Sequence, residues 1–284
     1  MTYGWSILII AIVLVTLFEL GIFNTSSLGP KLPPGSCQVF RPGGPGSVSN
    51  INLEGTCNNE LPQTVSTFVG NGNYISVNKE FFQGNSFTII GWVYWPPGTN
   101  LASPPSGNGD LGYAWSGQPP GTPDQGFGIF SRSGKWYLNF WADDIECSQG
   151  PVAGTWYQLG ASWNSITKQQ IVWVNGSDIC SRTSSGILKT NSILVLGSGI
   201  GTWDGSAYMG GDMANIQIYN TSLSANDIQA LYKEGIGGVP IKLQNLIGWW
   251  PLNGNANDYS GNNNNGQQNG GAYITNWQNG YIAP

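Results

Sequence analysis

The feature that most constrains the fold is a series of short β-branched and aromatic runs that begins after Gln63, each bounded by Gly, Asn, Ser or Pro. Tight hairpin turns are indicated at Asn71-Gly72 and Asn175-Gly176. Many short strands at regular spacing predict a large β-sandwich. The predicted strands are 64–69, 74–77, 87–95, 127–131, 135–141, 155–163, 170–174, 192–196, 213–219 and 246–250.

One segment has the signature of a helix. Ser224 is a suitable N-cap, Asp227 follows three positions later, and Gly235 ends the pattern. We expect this helix to pack on the rim of the sandwich. Its apolar face consists of Ile228, Leu231 and Tyr232.

The N-terminus carries an almost unbroken apolar run over residues 3–23, which is long enough for a helix to cross a bilayer core. A cleavable secretory signal is the competing interpretation, but a basic n-region is missing and the run exceeds a typical h-region. Glu19 lies inside the run, where lipid contact would be costly. The run therefore predicts a membrane anchor or a helix that packs on other helices.

Composition excludes several classes of function. Charged residues are 9% of the 284 residues, against about 25% in ordinary soluble domains. The absence of His removes the usual general base and every metal site that needs imidazole. A net charge of −5 without a basic cluster argues against nucleic acid as a partner.

Four cysteines follow the apolar run, and their spacing favours the pairs Cys37–Cys57 and Cys147–Cys180. An even number behind an export-like N-terminus predicts disulfides formed outside the cytoplasm. A four-Cys zinc site is the alternative, but the C-x-x-C spacing of such sites is missing. Glycosylation acceptors occur at Asn24, Asn175 and Asn220.

The chain divides into three predicted parts. Residues 1–24 form the hydrophobic helix, residues 25–62 a Gly/Pro-rich stalk pinned by the first cysteine pair, and residues 63–284 the sandwich.

The opening string MTYGWSILIIAIVLVTLFELGIF resembles the N-terminal helix of archaeal type IV pilin-like proteins. In that family the helices of many subunits pack into a filament core after a membrane-inserted precursor stage. A single-pass anchor remains the alternative. The resemblance implies self-association through a helix that carries Tyr3, Trp5, Ile9, Ile12, Glu19 and Phe23.

The strand region resembles the laminin-G-like, concanavalin A-like jelly roll. The resemblance lies in FVGNGNYISV (68–77), FTIIGWV (87–93), WYQLGASW (156–163) and ANIQIYNTSLS (214–224). A further string, GWWPLNGNANDYSG (248–261), normally opens such a domain but here lies near its end, which suggests a circularly permuted order.

The same resemblance implies a structural calcium ion. Asp258 matches one family ligand, and Asn253 and Asn255 offer further oxygen atoms, whereas the second acidic position is Ala214 here. The alternative is a turn in which Asp258 hydrogen-bonds its own backbone. No other cofactor is predicted.

Aromatic side chains in predicted Gly/Pro/Ser-rich loops suggest glycan binding, because sugars stack on exposed rings and bond to polar neighbours. Rings in these segments also cap sandwich ends or form subunit contacts, and these alternatives stay open. The candidates are Tyr113, Trp115, Trp203 and Asp204, with Asp110 and Asp124 nearby.

Catalysis is not expected. Some relatives are retaining glycosidases, which need two carboxylates close together. Asp144 and Glu146 would share one strand face, but the acidic group 143–146 fits a solvated strand end better, and the hydrolase pattern of three alternating acids is missing.

Together these features predict a subunit of an extracellular, pilus-like filament, with the helix in its core and the jelly roll displayed for adhesion to surface glycans. The alternatives are a membrane-anchored monomeric lectin and, less favoured, a glycoside hydrolase.

Overall fold

The computed structural model of the chain describes residues 36–39, 51–54, 61–70, 72–102, 110–116, 123–198 and 208–284. Their regular structure is mainly β, with helix α1 at Ala225–Lys233 and a 3-10 turn at Leu243–Asn245. The strands are β1 Ser36–Val39, β2 Ile51–Glu54, β3 Val65–Val69, β4 Tyr74–Val77, β5 Phe87–Tyr94, β6 Asp110–Ser116, β7 Phe127–Arg132, β8 Lys135–Asn139, β9 Ile145–Glu146, β10 Trp156–Asn164, β11 Gln169–Val174, β12 Ser177–Thr183, β13 Leu194–Leu196, β14 Gly210–Tyr219, β15 Leu246–Trp250, β16 Gly266–Asn269 and β17 Ala272–Ile274.

Two antiparallel sheets form a sandwich. The eight-stranded sheet has the order β12-β11-β10-β5-β14-β3-β17, and β15 also pairs with β14. The seven-stranded sheet has the order β16-β4-β13-β6-β7-β8-β9, and β1 pairs separately with β2. The prediction of a mainly β sandwich is therefore confirmed.

Strand β5 lies at the centre of the larger sheet and is buried along its whole length. Alternate residues serve two different cores, because successive side chains of a strand point to opposite faces. Ile89 and Val93 join the core between the sheets, whereas Ile90 and Trp92 join clusters on the outer face. This double burial explains why the sequence of β5 is an uninterrupted apolar run.

Gly91 interrupts that run where the two sheets approach closely. A Cβ atom at this position would lie 2.4 Å from Cδ1 of Ile216 and 2.6 Å from the hydroxyl oxygen of Tyr113. Glycine is therefore required here by packing.

Helix α1 covers the outer face of the larger sheet. Ile228 and Leu231 belong there to one apolar cluster with Ile90 and Trp249. The backbone of the helix neighbours β12, the edge strand of the sheet, so the predicted position at the rim is confirmed at this edge, and the helix also extends over the outer face. The predicted start of the helix is confirmed, because Ser224 and Asp227 form a reciprocal capping box.

All ten predicted strands occur, most with ends within one or two residues of the predicted bounds. The pattern missed five strands of the sandwich that are short, polar or rich in Gly. These are β6, β9, β12, β16 and β17.

The predicted N-terminal helix, with Tyr3, Trp5, Ile9, Ile12, Glu19 and Phe23, lies outside the described residues. Within the described ranges, no helix has the length and apolar character needed to span a membrane. The helix and the division into helix, stalk and sandwich stay predictions.

A disulfide closes one side of the sandwich. Cys147 directly follows β9, at the edge of the smaller sheet, and Cys180 lies in β12, at the edge of the larger sheet, with 5.6 Å between their Cα atoms. This predicted pair is confirmed. Cys57 and the side chain of Cys37 lie outside the described part of the chain, so their pairing stays a prediction.

We expect the double variant Cys147→Ala/Cys180→Ala to lower the free energy of unfolding by roughly 4 kcal/mol, because the bond restricts a loop of 33 positions in the unfolded chain. Urea unfolding followed by tryptophan fluorescence measures the change. The matched control is Cys37→Ala/Cys57→Ala, which leaves the sandwich edges joined. An unchanged unfolding midpoint in the first variant would contradict the expectation.

Candidate functional site

A polar cavity of about 340 Å³ opens between the segment that joins β4 to β5, the end of β14, β15 and the turn after β15. Carboxamide side chains form most of its polar lining. We call it the amide pocket, and its lining residues are Lys79, Glu80, Phe81, Gln83, Asn85, Ser86, Asn220, Ile247, Asn262 and Asn264.

The turn on one side of the amide pocket is organised by a single carboxylate. Asp258 accepts hydrogen bonds from the backbone N–H groups of Trp249, Ser260 and Asn264, each at 2.9 Å. Its own backbone N–H donates to Oδ1 of Asn265 at 2.9 Å. Hydrogen bonds to a charged acceptor are stronger than neutral ones, so this carboxylate fixes the path of residues 258–264.

Two amides of this turn are held in one orientation. Nδ2 of Asn264 donates to the carbonyl of Ile247 at 2.8 Å, and Nδ2 of Asn262 donates to the carbonyl of Leu246 at 3.3 Å and to Oγ of Ser260 at 3.0 Å. Because these bonds use the nitrogen atoms, the carbonyl oxygens are the groups left as acceptors for a ligand.

The opposite wall is the segment before β5. Nε2 of Gln83 donates to Glu80 at 2.6 Å and to the carbonyl of Thr190 at 2.7 Å, which ties this segment to the chain before β13. Phe81 packs edge-to-face on Trp250, with ring centroids 5.9 Å apart, and provides an apolar surface. Lys79 and Glu80 carry opposite charges, so the lining has no net charge.

Asn220 completes the lining at the end of β14. Its backbone N–H donates to the carbonyl of Asn245 at 2.9 Å, and its Oδ1 accepts from Nδ2 of Asn245 at 3.0 Å. Its amide is thus oriented in the opposite sense to Asn262 and Asn264, with nitrogen as the remaining group.

The prediction that Tyr113 is a surface ring for sugar stacking is wrong. Its side chain is fully buried in the core, because β6 shifts register between Gly112 and Ala114 and turns Tyr113 inward. Burial raises the pKa of the Tyr113 phenol well above its usual range. Trp115 also lies in β6, not in a loop, and its backbone pairs with Gly128 and Val195.

The remaining predicted glycan-binding residues, Trp203 and Asp204, lie outside the described part of the chain, as does the side chain of Trp115.

The predicted calcium ligands are engaged in hydrogen bonds within the protein. Besides the three donors to Asp258, Oδ1 of Asn253 accepts from the backbone and hydroxyl of Thr64, and Oδ1 of Asn255 accepts from the backbone of Asn257. In the described ranges, no group of three or more His, Cys, Asp or Glu side chains could hold a metal ion. Calcium binding stays a prediction.

The prediction of a solvated strand end is confirmed for Glu146, the exposed last residue of β9, and is wrong for Asp143. Asp143 is buried, forms an ion pair with Arg182 at 2.6 Å, and accepts from the hydroxyl of Ser184 at 2.6 Å and the backbone N–H of Ser185 at 2.5 Å. Burial alone would raise its pKa, but these hydrogen bonds and the Arg182 charge outweigh burial and hold the pKa of Asp143 below its usual range.

The other two acids of the group flank Tyr137. Asp144 accepts from the Tyr137 hydroxyl at 3.0 Å and from the backbone of Phe140 at 3.0 Å, and Glu146 forms an ion pair with Lys135. Both carboxylates thus have structural partners, and neither belongs to the lining of the amide pocket.

Asp124 lies beside Asp143, but its pKa shifts in the opposite direction. One of its carboxylate oxygens, Oδ1, is buried without a hydrogen-bond partner among the described residues. Burial and the neighbouring Asp143 carboxylate raise the pKa of Asp124.

The predicted glycosylation acceptors are placed as follows. Asn175 is half-buried in the turn after β11, where its Oδ1 accepts from the backbone of Gln158 at 3.0 Å. Asn220 is exposed at the amide pocket, and Asn24 lies outside the described residues. Glycan attachment stays a prediction at all three.

Sequence reasoning did not identify the amide pocket. The Asn-rich run after β15 is the one local signal in its lining, and the family resemblance associates that run with calcium. Asn85, Gln83 and Phe81 gave no local signal, because they reach the pocket only when strands distant in sequence are assembled.

Residues 69–229 match the family model of the concanavalin A-like lectin/glucanase superfamily. This match spans more than half of the 284 residues, and the chain therefore belongs to that superfamily. No curated protein matches the chain.

Solved structures share the fold at low sequence identity. A proposed carbohydrate-binding protein from Bacteroides ovatus is 14% identical with a TM-score of 0.56, and the match covers 75% of this chain and 60% of that one. A CBM40 domain of the Ruminococcus gnavus IT-sialidase, bound to α2,3-sialyllactose, is 14% identical with a TM-score of 0.47, covering 61% of this chain and 98% of that one. The heptameric SAP-like pentraxin of Limulus polyphemus is 13% identical with a TM-score of 0.44, covering 60% and 81%.

We expect Asp258→Ala to lower the free energy of unfolding by about 2–3 kcal/mol, because three backbone N–H groups lose their charged acceptor. Urea unfolding measures the change, and Asp258→Asn, which keeps one acceptor oxygen, should give an intermediate value. A stability equal to that of the unmodified chain would show that the carboxylate does not hold the turn.

Calcium titration of the same variants separates the two roles of Asp258. If the carboxylate is a metal ligand, millimolar calcium raises the melting temperature of the unmodified chain and not that of Asp258→Ala. If the carboxylate only accepts backbone hydrogen bonds, calcium changes neither.

Neighbouring acids should respond to pH in opposite ways. Because the pKa of Asp124 is raised in the folded state, the stability that this residue contributes is present at low pH and is lost as pH rises through that pKa. The variant Asp124→Asn should therefore raise the melting temperature by about 2 °C at pH 7 and by much less at pH 3. Asp143 has a lowered pKa and contributes above the pKa of the unfolded chain, so Asp143→Asn should lower the melting temperature at pH 7. Equal signs for the two variants in thermal unfolding at pH 7 would contradict this assignment.

Proposed function

We propose that the sandwich binds neutral carbohydrate in the amide pocket. The observation that carries the proposal is the fixed orientation of its amides: Asn262 and Asn264 offer carbonyl oxygens, whereas Asn220 offers its amide nitrogen. A sugar hydroxyl both donates and accepts hydrogen bonds, so it can use both kinds of group at once.

The apolar part of the lining supports the same ligand class. Phe81 and Ile247 lie among the amides, and a pyranose ring combines an apolar C–H face with polar edges. The volume of about 340 Å³ is at the small end of the range for ligand sites, which suits one end of a glycan chain.

The balance of charge favours a neutral sugar. Lys79 and Glu80 compensate each other, and Glu80 already accepts a hydrogen bond from Gln83. An acidic sugar would meet one cation and one anion, so it gains little over a neutral one.

Binding without hydrolysis is the preferred form of this function. Inverting and retaining glycosidases alike use a pair of carboxyl groups across the scissile bond. Among the described residues that line the amide pocket, Glu80 is the one carboxylate. A hydrolase role would therefore need an acid from outside this lining.

The filament role rests on residues 3–23 and stays a prediction, as do display outside the cell and insertion of a precursor in the membrane. Support for an oxidising location comes from the Cys147–Cys180 disulfide, since such bonds are rare in reducing cytosol. A sandwich that binds surface glycans is compatible with a filament subunit and with an anchored monomer.

We expect the full chain, produced without N-glycans and kept in a detergent without a sugar head group, to bind neutral oligosaccharides on a glycan array. Asn85→Ala should weaken binding of the best array glycan by about 5–10-fold, the effect of losing one hydrogen-bonding side chain in a pocket. Asn78→Ala is the matched control, because Asn78 is exposed on the same segment but does not line the pocket. Isothermal titration of the array glycan measures both.

Two results would overturn the proposal. One is a chain of unmodified sequence, produced without N-glycans, that binds no neutral glycan on the array. The other is binding that Asn85→Ala and Asn78→Ala leave equally unchanged, which would place the ligand elsewhere on the molecule.

A further inference from the structure

The glycosylation acceptor at Asn220 coincides with the amide pocket. Asn220, Thr221 and Ser222 form an N-x-S sequence directly after β14, and Asn220 is both exposed and part of the pocket lining. Asn175, the other acceptor in the described residues, does not belong to that lining.

The amide of Asn220 presents the atom that glycosylation modifies. Its Oδ1 accepts from Nδ2 of Asn245 at 3.0 Å, which turns Nδ2 of Asn220 away from that neighbour. Asn245 ends the 3-10 turn that leads into β15, and Ile247 of β15 lies in the pocket wall. A sugar linked to Nδ2 of Asn220 therefore starts at the wall of the pocket.

The backbone around this acceptor is held firmly. The hydroxyl of Thr88 donates to the carbonyl of Thr221 at 2.8 Å and accepts from the backbone N–H of Leu223 at 2.9 Å. The backbone of Asn220 is itself bonded to Asn245 at 2.9 Å. With the acceptor fixed at both ends, the first sugar cannot swing away from the pocket mouth by backbone motion.

We propose that a glycan attached at Asn220 occupies the amide pocket and excludes free ligand, so that glycosylation at this residue controls carbohydrate binding. The proposal rests on the proposed function. The donor is a glycosyl phosphate: a bond forms between Nδ2 and the anomeric carbon, the bond from that carbon to the phosphate oxygen breaks, the phosphate leaves with the electron pair, and Nδ2 loses one proton.

An attached glycan is expected to occupy the amide pocket because its covalent link to Asn220 keeps it close to the pocket. A short tether gives an effective concentration in the millimolar range. Against a free ligand with a dissociation constant near 0.1 mM, an attached sugar of similar affinity lowers the apparent affinity about 10-fold. The same reaction removes one Nδ2 proton that a free ligand would use.

The test compares two variants produced in a secretion host that attaches N-glycans. Ser222→Ala removes the acceptor sequence at Asn220 but keeps the Asn220 side chain in the pocket, and Ser177→Ala removes the acceptor sequence at Asn175 as the matched control. Peptide mass analysis gives the occupancy of each site. Titration with the neutral glycan that Ser222→Ala binds best on the array gives the affinity.

We expect Asn220 to be glycosylated in the unmodified chain, and Ser222→Ala to bind that glycan about 10-fold more tightly than the unmodified chain and Ser177→Ala. An unglycosylated Asn220 beside a glycosylated Asn175 would overturn the proposal. So would equal affinity of Ser222→Ala and a fully glycosylated unmodified chain.

A second readout keeps the test independent of the ligand. Lys79 lines the pocket, whereas Lys233 is exposed on helix α1 and serves as the reference. If the attached glycan fills the pocket, acetylation of Lys79 by a water-soluble active ester should be several-fold slower in the glycosylated chain than in Ser222→Ala. The acetylation rate of Lys233 should be the same in both proteins. If Ser222→Ala binds no array glycan, the proposed function fails. The shielding of Lys79 then decides alone whether the attached glycan occupies the pocket, and equal acetylation of Lys79 in both proteins overturns that occupancy.

Discussion

Burial of the central strands of the eight-stranded sheet on both faces is the constraint on which the other elements depend. Strand β5 has no solvent-exposed residue, so something must cover the outer face as well as the inner one. Helix α1 covers one part of it, and Trp277 and Tyr281 of the C-terminal segment cover another by packing against Trp156 and Trp92. The chain after β14 therefore supplies the groups that cover the outer face as well as strands β15, β16 and β17, and the turn that follows β15 lines the amide pocket. Packing of this sheet thus determines where the pocket can form.

Low charge has a structural meaning in this fold. Under helix α1, Oδ1 of Asn215 accepts from the indole of Trp249 at 2.8 Å and from Gln217 at 3.1 Å, and the hydroxyl of Tyr219 donates to Gln217 at 2.6 Å. Neutral amides satisfy these buried groups without the desolvation cost of ions. In the amide pocket, neutral carboxamide groups line a cavity that is open to solvent. Asp258 differs from these neutral groups because it is a carboxylate. It accepts hydrogen bonds from three backbone N–H groups, which the single carbonyl oxygen of an amide side chain could not do.

Local patterns predicted those elements whose signals are local. Alternating aromatic and β-branched runs identified the strands that build the core, and Ser224 with Asp227 identified the start of α1, because period and capping act over a few residues. Strand β6 was missed, since Gly112 and the register shift beside it disguise its alternation, and Tyr113 was consequently placed on the surface. The burial of Asp143 could not be foreseen either. Its partners Arg182 and Ser184 follow about 40 positions later and meet it only when the two sheet edges come together.

Preorganisation connects the fold to the proposed binding. Three amides of the lining each form a hydrogen bond within the protein through one end of the carboxamide: Asn262 and Asn264 to the backbone of β15, and Asn220 to Asn245. A side chain fixed before binding loses little rotamer freedom when the ligand arrives, which removes one of the entropic costs of binding. The two orientations also divide the roles, with oxygen acceptors on the turn after β15 and a nitrogen donor at the end of β14. Ligand binding and covalent attachment of a sugar would then compete for the same atom, Nδ2 of Asn220, so that the geometry favouring one necessarily constrains the other.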